Sequence, residues 1–345
     1  METKVIAIDI FGGARDAAHA AVALLRAGEV VALPTETVYG LAADATNVAA
    51  VRRIFAAKDR PAYDPLIVHV AGTYALEGVA VVPDGIAHDF RRLTDAFWPG
   101  PLTIVLPRGP RIPDIVTSGL PTVAVRAPAS AIMRAVLKEF GGPLAAPSAN
   151  RFGRITPTTA AAVLAELGGR IPLVIDGGAS RDGLESTIVR LRPGTKKLSI
   201  EILRAGPVTK ELLKPFGKVV VVERQTAGLD ETLDVPGQLE SHYAPATPLL
   251  APARPEDFQP GPGKRYGLLS YRGEPGDGFL GLTDWASIEI LSPGSGKLPE
   301  AGVRFFALLR RLDQLGLDAI VAEPLPDHGV GLALNDRLRR ASTRG

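Results

Sequence analysis

Short apolar runs alternate with stretches of helical periodicity along the chain. Runs bounded by turn-forming residues predict ten strands, at 30–33, 66–70, 103–106, 122–125, 173–175, 187–191, 219–222, 266–270, 287–291 and 319–322. The segments between them predict helices, at 16–27, 48–58, 209–213, 299–315 and 331–340. This alternation of strands and helices is typical of an α/β protein.

Individual polar residues and glycines mark helix ends. Gly28 follows the first predicted helix as a suitable C′ residue, and Asn47 is available to cap the second. In "TPTTAAAVLAEL", Thr156 is a suitable N-cap and Pro157 a suitable first helical residue. We therefore expect a further helix to begin at Thr156.

The chain of 345 residues is longer than one average domain. The pattern predicts a first α/β domain over 1–215, a linker over 216–247 and a smaller α/β domain over 248–345. Residues 224–247 lack periodicity and are rich in turn formers, and a stretch of that length is usually functional or disordered. A plain tether is one interpretation. The adjacent His242 and Tyr243 in "VPGQLESHYAP" favour a lid instead.

Composition narrows the function classes. The chain has no cysteine, which excludes disulfides, thiolate zinc sites, iron–sulfur clusters and cysteine nucleophiles. A net charge of +2 argues against binding nucleic acid by bulk electrostatics. No apolar run reaches the roughly 18 residues that a membrane helix needs, and no secretory signal is evident. We expect a cytoplasmic protein without a membrane partner.

Polar side chains follow several of the predicted strands. In "LPTETVYGLAAD", hydroxyls and one carboxylate follow the strand at 30–33, where a core would contain hydrophobic residues. Arg126 ends the apolar run of "TVAVRAP", and Lys58 and Arg60 lie at a helix C-terminus. Each has a structural explanation, because arginine often ends a solvated strand and cations complement the helix dipole. "APSANRFGRITPTT" offers hydroxyls at a helix start, where backbone N–H groups hold phosphate.

Taken together, these stretches resemble one family. "PTETVYGLAADA", "KDRPAYDPLIVHV", "FWPGPLTIVL", "VAVRAP", "APSAN", "ESTIV" and "ILRAGP" are similar in order and spacing to the YrdC-like domain. "VPGQLESHYAP" and "LNDRL" resemble the longer Sua5 type, which has an additional C-terminal domain. The resemblance implies a twisted mixed sheet with a large concave pocket, followed by a smaller Rossmann-like α/β domain. It also implies synthesis of threonylcarbamoyl-AMP from L-threonine, bicarbonate and ATP.

The resemblance also implies roles for individual residues. It assigns to L-threonine the positions Thr37, His69, Arg126, Ala146 (through its backbone) and Ser186. It assigns to ATP the positions Arg60, Asp64, Thr122, Ser148, Asn150, Thr156, Arg204 and Tyr243. Lys58 and Arg60 are candidates for charge stabilisation during catalysis. The role of Asp64 is open, because a carboxylate beside phosphates is unfavourable unless it faces ribose or Mg²⁺.

Further expectations concern the cofactor, the product and the alternatives. Mg²⁺ is expected with ATP, and no cluster of ligands with metal-binding spacing is evident in the sequence. The resemblance implies that the product passes to a transferase that modifies an adenosine beside the tRNA anticodon. A double-stranded-RNA-binding module, with weak RNA contact, is one alternative. A carbamoyl-transfer protein of hydrogenase maturation is another, although those relatives carry cysteine zinc motifs that this chain lacks.

Overall fold

Two β-sheets, one of eleven strands and one of four, organise the residues that the structure describes. This computed structural model describes residues 2–8, 13–61, 63–194, 197–222, 242–294 and 296–343. The α/β class predicted from the sequence is confirmed. Most of the predicted linker, residues 223–241, lies outside the described residues. Within the described ranges, no helix has the length and apolar character needed to cross a membrane.

The large sheet is mixed, with parallel and antiparallel neighbours. Its strands are β1 (Lys4–Ala7), β2 (Val31–Pro34), β3 (Tyr39–Asp44), β4 (Ile67–His69), β5 (Leu102–Pro107), β6 (Thr122–Arg126), β7 (Leu144–Ala145), β8 (Leu173–Asp176), β9 (Thr187–Arg192), β10 (Ser199–Arg204) and β11 (Lys218–Val221). They lie in the order β1-β8-β2-β3-β7-β4-β6-β5-β9-β10-β11. The predicted linker begins at 216, whereas β11 pairs with β10 in this sheet.

The central strands bury both faces, so their sequences lack polar alternation. On β2, Val31 and Leu33 pack into one apolar cluster, and Ala32 packs into another on the opposite face. The first cluster includes helices α1 (Gly13–Arg26) and α5 (Ala131–Phe140). The second includes α2 (Val48–Lys58), α3 (Ala87–Phe97) and α6 (Ala160–Leu167). Helices therefore cover both sides of the sheet. Two single-turn helices, α4 (Asp114–Thr117) and α7 (Lys210–Leu213), complete this part of the chain.

The helix expected to begin at Thr156 begins three residues later. The N-cap of α6 is Thr159, whose side chain accepts a hydrogen bond from Ala162 N. Thr156 instead donates its hydroxyl proton to Glu185. The prediction was wrong because three threonines in "TPTT" are all acceptable caps, and a distant carboxylate determines which one is used.

The small sheet is entirely parallel. Its strands are β12 (Leu249–Leu250), β13 (Tyr266–Ser270), β14 (Ser287–Ile290) and β15 (Ala319–Ala322), in the order β12-β15-β13-β14. Helix α8 (Leu298–Asp313) connects β14 to β15, and α9 (Gly331–Ser342) follows β15. Both helices contribute to an apolar cluster that also contains Tyr243 and Leu184. The two sheets are therefore joined through packed side chains.

Candidate functional site

The hydroxyls and the carboxylate that follow β2 lie in the turn of a hairpin. Strand β3 pairs antiparallel with β2, and residues 35–38 connect them. The Thr35 hydroxyl donates to the carbonyl of Val38 at 2.6 Å and lies 2.8 Å from the Thr37 hydroxyl. These bonds fix the turn, so that Glu36 and Thr37 face the end of β6. The sequence predicted the strand before this turn but not the strand after it.

Glu36 forms a buried ion pair with Arg126, the last residue of β6. The Nη2 atom of Arg126 lies 2.6 Å from Glu36 Oε1, and Nη1 donates to Thr37 at 2.9 Å. Its Nε atom donates to the carbonyl of Gly100 at 3.0 Å. Burial alone would raise the pKa of Glu36, but the charge and hydrogen bonds of Arg126 outweigh it and lower the pKa to about 2. The guanidinium is therefore held in one orientation at the pocket wall.

Arg60 is held in a similar way by Asp64. Its Nη2 atom lies 2.8 Å from Asp64 Oδ2 and donates to the Pro65 carbonyl at 2.9 Å, and its Nε atom donates to the Asp64 carbonyl at 3.2 Å. Asp64 is 0% exposed and lies behind the guanidinium, outside the pocket lining. Burial raises the pKa of the Asp64 carboxyl, opposed by the charges of Arg60 and Lys58. In this structure Asp64 positions an arginine.

Lys58 fastens the loop that carries Ser148 and Asn150. Its ammonium donates to the carbonyls of these two residues at 2.6 and 2.5 Å. Burial, reinforced by the charge of Arg60, lowers the pKa of Lys58 well below its usual range. The Asn150 side chain donates to the carbonyls of Arg151 and Arg154. Lys58 and Asn150 thus shape the loop from behind.

Strands β9 and β10 bring Ser186 and Arg204 into the pocket. Arg204 donates to the Ser186 carbonyl from Nε at 3.1 Å and from Nη2 at 3.0 Å. Nη2 also lies 3.1 Å from the Ser186 hydroxyl, which is 2.7 Å from that of Thr103. These bonds orient the third guanidinium of the pocket through main-chain and hydroxyl oxygens.

Helix α9, which follows the last strand of the small sheet, contributes a buried arginine that binds a carboxylate of the pocket lining. Arg337 of α9 is 0% exposed, and its Nε and Nη2 atoms lie 3.3 Å from Glu185 Oε2. The other oxygen of Glu185 accepts from Thr156 at 2.6 Å. Arg337 also lies 5.4 Å from the centre of the Tyr243 ring. The sequence assigned no role to Arg337 or Glu185, although Arg337 belongs to the "LNDRL" stretch.

His242 and Tyr243 close the pocket on the linker side. Tyr243 is 1% exposed, packs against His242 and Phe306, and has a φ of 65° that is uncommon for a residue other than glycine. Its hydroxyl has no hydrogen-bond partner among the described residues. The remaining cavity is about 50 Å³, whereas small-molecule sites usually occupy roughly 300–1,000 Å³. With His242 and Tyr243 in these positions, the cavity is smaller than a nucleotide-sized ligand requires.

The structure brings together most of the residues predicted to bind substrates. The pocket is lined by Thr37, Arg60, His69, Ala146, Arg126, Ser148, Ser186, Arg204 and Tyr243. Five of the candidates lie outside this lining, namely Lys58, Asp64, Thr122, Asn150 and Thr156. Thr122 is on the same face of β6 as Arg126, four residues away, which is roughly 13 Å along the strand. The individual roles stay predictions.

Charge and hydrogen bonding suit this pocket to an anionic ligand. Three buried arginines approach it, and each is oriented by bonds to neighbouring residues before any ligand arrives. His69 pairs with Arg126 across β4 and β6, and burial together with that charge lowers the pKa of His69 to about 3. The imidazole is therefore neutral at pH 7. In the part of the chain that the structure describes, no three His, Asp or Glu side chains form a group suited to a metal ion.

Comparison with known proteins places the chain in a family. A family model described as "Telomere recombination" matches residues 23–206, and the C-terminal domain of threonylcarbamoyl-AMP synthase matches residues 208–343. The chain is 38% identical to the threonylcarbamoyl-AMP synthase of Pyrococcus abyssi, over 93% of both chains. It is 38% identical to that of Bacillus subtilis, over 93% of this chain and 92% of the relative.

Similarity to a solved structure supports the same family. P. abyssi Sua5 complexed with L-threonine superposes with a TM-score of 0.84 and 34% identity, over 99% of this chain and 98% of the other. The resemblance stated from the sequence motifs is therefore confirmed. The chain belongs to the threonylcarbamoyl-AMP synthase family.

Proposed function

We propose that the protein is an L-threonylcarbamoyladenylate synthase, a nucleotidyltransferase that condenses L-threonine, bicarbonate and ATP. The observation that carries this proposal is the buried pocket with its three oriented arginines, Arg60, Arg126 and Arg204. Full-length similarity to relatives that bear this activity in their names supports it. The similar P. abyssi protein is complexed with L-threonine, which supports threonine as the amino acid.

We assign the amino-acid end of the pocket to the residues around the hairpin turn. Arg126 suits the threonine carboxylate because a guanidinium binds a carboxylate with two parallel hydrogen bonds. Thr37 and the neutral His69 offer hydrogen bonds without adding charge, and Ser186 lies beside them in the lining. Ala146 contributes through its backbone. This end would fix the amino group of threonine near the reacting centre.

We assign the nucleotide end to Arg60, Ser148, Arg204 and Tyr243. Two guanidiniums there oppose the charge of the triphosphate, and their fixed orientation means that little is reorganised during reaction. The candidates that lie outside the lining would act indirectly, by holding other residues of the pocket in place. Lys58 and Asn150 hold the Ser148 loop, Asp64 holds Arg60, and Thr156 holds Glu185. Thr122 would bind ATP only if the ligand extends along the face of β6.

The chemistry divides into two displacements. The threonine nitrogen attacks the carbon of bicarbonate, and water leaves to give N-carboxythreonine. An oxygen of that carbamate attacks the α-phosphorus of ATP, the bond to the bridging oxygen breaks, and pyrophosphate leaves with that oxygen. No side chain has to become covalently attached. Positioning and charge stabilisation by the arginines are therefore the main contributions of the protein.

Mg²⁺ would enter with the nucleotide. The carboxylates closest to the pocket, Glu36, Asp64 and Glu185, are each paired with an arginine. They are poor candidates for a preformed metal site, and phosphate oxygens and water would supply most ligands, as Mg²⁺ prefers. When bound, the ion neutralises phosphate charge. The product would pass to a transferase that modifies tRNA, and a cytoplasmic location follows from that role.

Pyrophosphate release tests this proposal. The full chain is incubated with ATP, Mg²⁺, L-threonine and bicarbonate, and each substrate is omitted in turn. We expect release only when all are present, because one pocket has to assemble the adenylate. L-Serine in place of threonine is a matched control for the side-chain methyl group. Equal pyrophosphate release without threonine indicates a plain nucleotide hydrolase and contradicts the proposal.

A further inference from the structure

A larger cavity lies at the carboxyl edge of the small parallel sheet. It is separate from the pocket lined by Arg60, Arg126 and Arg204, which we call the arginine pocket. Its volume is about 960 Å³, within the range of small-molecule sites. The residues that follow β13, β14 and β15 all contribute to its lining, among them Tyr271, Gly294 and Glu323. The N-terminus of α8 and Thr209, next to α7, complete two of its walls. Its lining shares no residue with the arginine pocket.

The strand order makes this edge a topological switch point. From β13 the chain runs to the neighbouring strand β14, and α8 then carries it back across to β15 on the other side of β13. After β15 the chain enters α9, which packs against β12. Connections thus leave β13 and β15 in opposite directions. In open parallel sheets, a crevice of this kind at the carboxyl ends of the strands is where ligands bind.

A buried carboxylate in this crevice has an unused oxygen. Glu323 follows β15 directly and is 3% exposed. Its Oε2 atom accepts from Tyr271 N at 2.7 Å and from the Ser270 hydroxyl at 2.9 Å. Its Oε1 atom has no hydrogen-bond partner within the ranges that the structure describes. Because a buried polar atom without a partner is costly, this oxygen is suited to accept a hydrogen bond from water or from a ligand.

The charges around the cavity disfavour a phosphate. Its two arginines are already paired with acids. Arg272 lies 2.5 Å from Asp277 and 3.4 Å from Glu274, and Arg254 lies 3.2 Å from Asp257 and 3.3 Å from Glu256. The two linings differ in composition, since the arginine pocket is lined by three arginines and one acid, whereas this cavity is lined by two of each. The rest of this lining is largely apolar, with Phe279, Leu298, Leu325 and Val330 among its residues.

We propose that this cavity is a second binding site, for an uncharged nucleoside. The ribose hydroxyls would donate to Glu323 Oε1, as ribose hydroxyls do to an acidic residue in dinucleotide-binding sheets. The base would lie against the apolar wall near Phe279. Arg254 and Arg272 each face two acids beside the cavity, so we expect the site to favour nucleosides over nucleotides.

Equilibrium dialysis of adenosine against the full chain tests the proposal. Excess ATP and threonine are present to fill the arginine pocket. We expect one saturable adenosine site, and AMP binding at least ten-fold weaker there. Absence of saturable binding up to about 1 mM adenosine overturns the proposal. Adenosine binding that appears only when ATP is omitted also overturns it, because the nucleoside then occupies the arginine pocket or the cavity accepts phosphates.

Two variants locate the bound nucleoside. Glu323→Gln replaces the charged acceptor by a neutral amide, and we expect adenosine affinity to fall about ten-fold. Asp284→Asn, at an exposed acid outside the lining, is its control. Ala253→Trp blocks the cavity from its exposed rim without disturbing a buried group, and Ala251→Trp is the matched exposed control. Circular dichroism confirms folding of each. Unchanged adenosine binding in Ala253→Trp contradicts the assignment even if Glu323→Gln fails to fold.

Discussion

Replacing Glu36 by glutamine should destabilise the part of the protein that contains the eleven-stranded sheet, which we call the large-sheet part. Glutamine keeps the size and one hydrogen-bond acceptor of Glu36 but removes the charge that faces Arg126. Both side chains are 4% exposed, so water cannot compensate for the lost partner. Leaving one charge of a buried pair unpaired typically costs about 3–5 kcal/mol. The same change tests whether the hairpin turn after β2 holds the arginine as described.

The pKa of Glu36 gives an independent magnitude. It falls from 4.5 to about 2 in the folded protein, and about 1.4 kcal/mol per pKa unit makes this roughly 3 kcal/mol. Because the folded pKa is lowered, this stability is present above pH 4.5 and is lost as the pH falls toward 2. The glutamine variant cannot titrate at this position. It should therefore lose less stability than the parent protein over that pH range.

Urea unfolding followed by tryptophan fluorescence measures both effects. The chain has two tryptophans, and Trp285→Phe leaves Trp98 as a reporter within the large-sheet part. In that background we expect Glu36→Gln to lower the free energy of unfolding by about 3 kcal/mol at pH 7. Glu77→Gln, at an exposed acid, is the control. A loss below about 1 kcal/mol, together with an unchanged decline between pH 4.5 and 3, refutes the reasoning.

Three further perturbations address the substrates and the closure of the pocket. Arg126→Ala should raise the KM for threonine far more than the KM for ATP, because losing a buried charged partner costs about 2–5 kcal/mol of binding free energy. An effect on the KM for ATP alone reassigns this arginine to phosphate. Arg337→Met should weaken ATP binding about ten-fold, because Glu185 loses a charged partner, and equal behaviour of exposed Arg339→Met contradicts this. Tyr243→Ala should increase the ATP hydrolysed per adenylate retained, because an open pocket admits water; an unchanged ratio indicates that the linker is only a tether.

Short-range patterns predicted the elements that carry strong local signals. Apolar runs located strands such as β6 and β13, and periodicity with a cap located α2, where Asn47 accepts bonds from Ala49 and Ala50. Strand β3 was missed because its sequence, "YGLAAD", is short and contains small residues. Helix α5 was also missed, although Ser130 caps it. These elements depend on burial within a completed sheet, which no local window contains.

The site was predictable in composition but not in its pairings. Motif resemblance assigned Arg126 and Arg60 to the pocket, and the structure places both in its lining. The partners that orient them follow from tertiary contacts, since Glu36 and Arg126 are 90 residues apart. Arg337, in α9, lies 152 residues from Glu185 along the chain. The sequence signals available for Arg337 were its place in "LNDRL" and its position among the apolar residues Leu334, Leu338 and Ala341 of the helix.

Formation of a mixed anhydride from all three substrates is the central claim, and a double-label experiment tests it. Radiolabelled threonine and ATP labelled at the α-phosphate are incubated with the full chain, Mg²⁺ and bicarbonate, and the products are separated at once. We predict that both labels appear in one product, in equal amounts and equal to the pyrophosphate released, and that this product is absent without bicarbonate. Pyrophosphate accompanied by AMP alone, with no product carrying both labels, would contradict the proposed reaction.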